Sequence, residues 1–184
     1  KIDPQGVMPL IGLEPSETAM VTDDYLSMLP GDPRAASLAG RTYSVEEFLL
    51  RPRSDGLPRL DKLSFEVNGA SVLLHGHCHQ KAQKTHPDGI SSGVAATLAV
   101  FSRIGAEIEL IQSGCCGMAG AFGYEREHVE MSIQVAEMFV LPAVRSRREG
   151  QLVAAPGASC RAQIESLSDA EPLHPVSLLA GMVR

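Results

Sequence analysis

A chain of 184 residues is long enough for one domain with a substantial core and a short extension. With 44% hydrophobic and 21% charged residues, the composition excludes disorder, collagen and coiled coil, and no apolar run approaches the roughly 18 residues that span a bilayer. Sixteen basic against twenty-two acidic side chains leave a formal charge of −6; with 4% aromatics and no Trp, the chain lacks the positive field and the stacking surfaces of a nucleic-acid binder.

The chain opens Lys1-Ile2-Asp3-Pro4, without an initiator Met or an apolar leader, so a portion of a longer intracellular protein is expected. Val7 to Leu13 reads as a strand, followed by a helix from Thr18 to Leu29 with Ser16 as N-cap and Pro30-Gly31-Asp32-Pro33 as its stop. Ser44-Val45-Glu46-Glu47 has capping-box spacing and opens a short helix through Leu50. Arg51 to Leu60 reads as a loop and is the one candidate linker. Phe65 and Val67 alternate, Asn68-Gly69 turns, and Ser71 to His75 reads as a buried strand. After a loop containing Pro87-Asp88-Gly89, Ser91 or Ser92 caps a helix with Val94, Leu98, Phe101 and Ile104 on one face, closed by Gly105.

Glu107 to Gln112 is the next strand. Tyr124 to Arg148 reads as the longest helix, with an apolar stripe of Val129, Ile133, Ala136, Val140 and Ala143, acidic residues near its start and arginines at its end. Pro142 should kink it. Gln151 to Ala155 is a strand, Arg161 to Leu167 a helix, Leu173-His174 a last short strand, and Ser177 to Val183 a final helix. This alternation predicts an α/β fold: a largely parallel sheet flanked by helices in a Rossmann-like three-layer arrangement.

Cys78, Cys115, Cys116 and Cys160 each follow the carboxyl end of a predicted strand, where open α/β sheets gather their ligands. Convergent thiolates in an interior demand a compensating cation, and helix starts beside them lower thiol pKa. Such a set suits zinc or an iron–sulfur cluster. There is no C-x-x-C pair; the adjacent Cys115 and Cys116 chelate a single tetrahedral ion poorly but can contact different irons of one cluster. Scattered buried cysteines acting as small hydrophobes are the plain alternative. His77 and His79 share a face if their segment is extended, as either a supporting pair or one exposed and one hydrogen-bonded ring. Gly117, Gly120 and Gly123 permit close backbone approach and match no nucleotide-binding fingerprint. Lys81 either offsets site charge or is solvated; Met118, Met131 and Met138 fit helix packing.

GCCGMAGAFGYE (Gly114 to Glu125), GHCHQKA (Gly76 to Ala82) and GASCRAQI (Gly157 to Ile164) resemble the cysteine-rich CCG domain. That domain occurs in one of the subunits of heterodisulfide reductase, in iron–sulfur subunits of glycolate oxidase and anaerobic glycerol-3-phosphate dehydrogenase, and in fused FAD-linked oxidases of D-2-hydroxy acids. The stretch from Tyr124 to Arg145 is most similar to the last group. The resemblance implies that residues 1–68 close a preceding module, through Gly12 to Glu17, and add a connecting segment. Residues 69–184 would form the CCG module, the whole being one compact unit.

By the same resemblance, Cys78, Cys115, Cys116 and Cys160 bind an iron–sulfur cluster of 4Fe-4S type, with zinc the alternative. Glu17, His77, His79, Gly117 and Gln163 are the supporting residues. Gln163 stands where the fullest pattern has a cysteine, and Glu17 where some relatives have one. The implied function is electron transfer within an oxidoreductase, from an FAD-linked oxidase domain or subunit to a quinone or soluble carrier. FAD itself belongs in another domain or subunit, and the isolated chain is not expected to act alone. The implied location is cytoplasmic, with attachment to the inner membrane face through partners left open. A zinc-binding or metal-free docking module, or a thiol–disulfide reductase domain, are the competing readings.

Overall fold

The computed structural model describes residues 3, 6–86 and 88–184; Pro87 of the expected turn, and Lys1, Ile2 and Pro4 of the opening, lie outside the described residues. Two parallel sheets organise the chain. The first is small: β1 (Leu10–Gly12) pairs with β2 (Thr42–Ser44), Leu10 opposite Thr42 and Gly12 opposite Ser44. Between them run α1 (Pro15–Ala19), a π turn (Met20–Asp24), α2 (Tyr25–Met28) and α3 (Pro33–Ala39). The helix begins at Pro15 because proline's fixed φ and missing N–H suit the first helical position, which leaves Glu14 at the N-cap. Ser16 therefore lies inside the helix that it was expected to cap. Neither α3, capped by Asp32 accepting from Arg34 N (2.8 Å), nor β2 was foreseen.

The second sheet has strand order β4-β3-β5, with β3 (Ser71–Leu74), β4 (Glu107–Leu110) and β5 (Leu152–Ala154) all parallel. Leu173 adds a single parallel bridge at Ala154, and Phe65 bridges Val183, so two of the expected strands shrink to one contact each. The middle strand β3 buries Val72, Leu73 and Leu74, as a strand covered on both faces must. One face packs Leu73, Ile111, Val140, Val144, Val153 and Ile164 with Cys116, Met118 and Cys160. The other packs Val72, Leu74, Val100, Phe101, Ala154, Leu178 and Leu179. The fold is α/β, with parallel strands flanked by helices.

Ser44 caps α4 (Val45–Leu50) by accepting from Glu47 N (3.2 Å), and Glu47 Oε2 accepts in return from Ser44 N (3.0 Å). The fully buried Glu47 carboxylate also accepts from Gln83 Nε2 (2.7 Å) and Gly93 N (2.9 Å). A local helix start thus anchors the segment between α5 (Cys78–Ala82) and α6 (Gly93–Arg103). The longest helix, α7 (Val129–Arg145), starts later than expected: Phe122–Tyr124 forms a separate 3₁₀ turn, and Val129 and Ile133 stay exposed. Its buried stripe is Ala136, Val140 and Val144, and the helix runs through Pro142 to Arg145. Two more helices close the layers, α8 (Ala158–Leu167) and α9 (Pro175–Met182). Met118 is buried while Met131 and Met138 are exposed, so only the first packs as expected. No helix among the described residues is long and apolar enough to cross a membrane.

Candidate metal centre

Helical crossovers deliver the carboxyl ends of the parallel strands β3, β4 and β5 to one edge of the sheet, and each is followed within a few residues by cysteine. Cys78 is the first residue of α5, half-buried; His77 caps that helix, its Nδ1 accepting from His79 N (3.2 Å). Cys115 and Cys116 follow β4. Cys160 is the third residue of α8, immediately after β5, and with Cys116 is buried. The Cys115 sulfur accepts from Gly117 N at 3.3 Å. His75 is fully buried, and its ring, Cys116 Sγ and Cys160 Sγ offer donor atoms that all lie within 4.8 Å of one another.

These thiols do not titrate independently. The Cys160 thiol beside Cys116, with help from His75, holds Cys116 well below the ordinary thiol range despite burial. Cys116, burial, and the charges of Cys78 and Cys115 push Cys160 upward. The buried pair therefore shares one negative charge. Burial, then Cys115 and Cys116, also raise Cys78. Crowded sulfurs of this kind favour a cation that takes the place of their protons.

Lys81 supplies part of that charge. Its Nζ donates to Ser113 O (2.5 Å), Gly114 O (3.0 Å) and Ser113 Oγ (3.2 Å), which ties α5 to the loop after β4. Burial lowers the Lys81 pKa, opposed by all four cysteines, so the ammonium lies within their field. The residue is exposed, yet its ammonium is tied to the loop after β4 and pairs with no carboxylate among the described residues. At this site the buried His75 Nε2 has no hydrogen-bond partner among the described residues, an omission that ordinarily costs about 1–3 kcal/mol. The group whose donor atoms lie within 4.8 Å of one another is His75, Cys116 and Cys160, with the half-buried Cys78 and Cys115 outside it; sulfurs and an imidazole nitrogen are the donors that zinc and iron–sulfur groups use. The residues present fit such a group.

The supporting residues fall out differently. His77 is buried, its pKa lowered mainly by burial, and its ring stacks on that of the exposed His79 at 5.3 Å. It also presses on Gly157, where a Cβ would stand 2.4 Å from His77 Cδ2 and 3.1 Å from Cys160 Sγ. Gly117 has φ +97°, and a Cβ there would lie 2.1 Å from Ser132 O, so this glycine serves the approach of the cysteine loop to α7. Gln163 Nε2 donates to Ser132 O (3.2 Å) and Ser132 Oγ (2.9 Å), committing the side chain to α7. Glu17 is exposed on α1, whereas Glu14 Oε2 accepts from Ala158 N (2.9 Å) in the first turn of the helix that carries Cys160.

The chain matches one part of larger dehydrogenases. It is 27% identical over 179 residues to D-2-hydroxyglutarate dehydrogenase of Escherichia coli (strain K12), covering 96% of this chain and 16% of that protein. To D-2-hydroxyglutarate dehydrogenase of Haemophilus influenzae it is 29% identical over 182 residues, again 96% and 16%. To one of the subunits of the anaerobic glycerol-3-phosphate dehydrogenase of Escherichia coli (strain K12) it is 25% identical over 176 residues, 94% of this chain and 40% of that relative. No family model matches the chain. The chain thus spans a small fraction of the dehydrogenases' own length.

The sequence pattern gives Glu14 no role, and takes His75 only as the first of the histidines that alternate with His77 and His79 around Cys78. Pro15 was the available signal for Glu14, since proline at the first helical position puts the preceding residue at the N-cap. For His75 the signal was strand alternation. It lies two residues beyond Leu73, hence on the same face, and that face packs against Cys116 and Cys160.

Proposed function

We propose that this chain is an iron–sulfur electron-transfer domain of CCG type, belonging to an FAD-linked oxidoreductase that oxidises a D-2-hydroxy acid of the lactate, glycolate or 2-hydroxyglutarate kind. The observation that carries the reading is the meeting of His75, Cys116 and Cys160, from three separate strand ends, in a buried group whose donor atoms lie within 4.8 Å of one another. Similarity to one segment of D-2-hydroxyglutarate dehydrogenases supports the substrate class. Similarity to a single subunit of an anaerobic glycerol-3-phosphate dehydrogenase supports a domain that works beside another catalytic unit.

In this reading Cys78, Cys115, Cys116 and Cys160 hold a 4Fe-4S group, which when bound supplies one-electron storage and transfer. The chain's own contribution is electrostatic and steric. Lys81 places a positive charge in the field of the sulfurs, and Gly117 N–H donates to the Cys115 sulfur; both favour the electron-rich state. Met118, Val140 and Ile164 exclude water from the inner side. FAD lies in another domain or subunit, and electrons leave for a quinone or soluble carrier, with any membrane attachment made through those partners. Residues 1–68, with their own two-stranded sheet, close a preceding module, and residues 69–184 form the cluster-bearing module.

Anaerobic reconstitution with iron and sulfide, followed by visible absorption and EPR of the reduced sample, tests the proposal. Expected are near-stoichiometric iron and a cluster signal that Cys116→Ser or Cys160→Ser abolishes. Iron and sulfide bound only at background levels refute it. A zinc-holding structural module is the second reading, favoured by Gln163, whose amide is committed to Ser132 where the fuller pattern has a sulfur. Metal analysis giving one zinc per chain and no chromophore selects it.

A further inference from the structure

We propose that His75 is itself a metal ligand, its Nε2 completing with the Cys116 and Cys160 sulfurs the innermost part of the donor set. The inference rests on the reading that the cysteines hold a metal group, and adds a nitrogen donor to it. Three independent observations converge on the imidazole. It has no exposed surface, yet Nε2 has no hydrogen-bond partner among the described residues. Its donor atom lies within 4.8 Å of both buried sulfurs, a spacing that metal bonds of about 2.0–2.3 Å bridge after small shifts. Its other nitrogen is already committed: Nδ1 is 3.1 Å from Ser113 Oγ.

That last contact sets the orientation. Lys81 Nζ donates to Ser113 Oγ and to the Ser113 and Gly114 carbonyls, which fixes the hydroxyl in place. With Nδ1–H donating to that oxygen, Nε2 carries the lone pair left free for a metal. Metal-binding histidines are held in this way, by a hydrogen bond from the nitrogen that does not ligate. Ser113 and Lys81 are therefore positioning residues. The other buried histidine has a different assignment, since His77 Nδ1 already accepts from His79 N to cap α5. Gln163 does not compete, its amide being bound to Ser132. A neutral nitrogen donor also adds no negative charge to a reduced cluster, as a further thiolate would, and histidine ligation raises the potential of iron–sulfur centres.

The test is pulsed EPR on the full chain labelled with ¹⁵N-histidine, loaded anaerobically with iron and sulfide and reduced, and in parallel loaded with Co²⁺ alone. The expected result is one directly coordinated histidine nitrogen, lost in His75→Gln and kept in His79→Ala. Should His75→Gln fail to fold, Ser113→Ala serves, since it leaves the imidazole in place. It is expected to weaken Co²⁺ binding about 10–100-fold and to alter the nitrogen coupling. A wild-type centre with sulfur donors and no coordinated nitrogen overturns the assignment of His75 while leaving the cysteine site standing. A nitrogen coupling unchanged in both variants overturns it as well, by assigning the nitrogen elsewhere. Failure of the wild-type chain to bind either iron or Co²⁺ refutes the cysteine reading and this inference together.

Discussion

Replacing Gly117 by alanine tests whether the loop carrying Cys115 and Cys116 is held against α7 by the absence of a side chain. Gly117 has φ +97°, and its added Cβ would meet Ser132 O at 2.1 Å, Ser132 C at 3.0 Å and Gln163 Nε2 at 3.3 Å. Gly120, three residues on, has φ +70° and nothing within 4 Å of the same added atom. Both substitutions carry the strain of a left-handed L-residue, about 1–2 kcal/mol. Gly117→Ala adds overpacking of about 1–3 kcal/mol, because backbone rather than a flexible side chain must move. It adds roughly 1 kcal/mol more if the Gln163 bonds to Ser132 break. Gly117→Ala should then be about 2–3 kcal/mol less stable than Gly120→Ala. For a chain of this length that is a Tm gap of roughly 4–12 °C. Thermal unfolding followed by circular dichroism, on reduced and metal-stripped protein, reads the difference directly. Equal melting temperatures for the two variants refute the account of this loop.

Glu14→Ala removes the acceptor for Ala158 N at the start of α8 and should cost about 1 kcal/mol, or roughly 2–4 °C in Tm, whereas exposed Glu17→Ala should change stability by less than about 0.5 kcal/mol; the opposite ranking counts against the placement of α1. Burial raises the pKa of Glu46, countered in part by its own backbone and by His174. The folded carboxyl thus holds its proton more tightly than the unfolded one, and stability falls as pH rises from the unfolded value through the folded value. Glu46→Gln escapes that loss, so its stability by urea unfolding should improve relative to wild type as pH rises above the ordinary Glu value of about 4.3; a constant gap contradicts it. Cys78 and Cys160 hold their protons more tightly than ordinary thiols, so metal must displace them. Co²⁺ affinity measured against a competing chelator should therefore rise with pH, by up to about tenfold per pH unit for each proton released. A flat profile indicates that the thiols are not the ligands.

Several features of this protein were legible in residue order alone. The Ser44–Glu47 capping box formed as read because both partners lie within one helical turn, where spacing determines contact. Apolar runs alternating with helical periods implied parallel strands. Cysteines trailing those runs had to emerge on one sheet edge, whatever else packed around them. Shorter pieces escaped. The five-residue α5 is capped by the imidazole of His77, outside the usual hydroxyl and carboxylate capping residues, and β2 is three residues paired with a strand far away. The helix expected from Tyr124 began only at Val129, since Tyr124 ends a 3₁₀ turn and residues 125–128 turn again before the helix starts.

The sequence by itself determined the layered α/β plan, because hydrophobic period and turn chemistry are local quantities summed along the chain. Tertiary structure alone decided which polar atoms meet. Glu14 rather than Glu17 reaches α8, across 144 residues, and Gln163 spends its amide on Ser132 across 31. His75 is left with Nδ1 tied to Ser113, Nε2 without a hydrogen-bond partner among the described residues, and its ring beside two buried sulfurs. Pattern tells which face of a strand is covered, but the partner of a buried donor or acceptor depends on how two distant elements pack, to within an ångström, and periodicity does not carry that information.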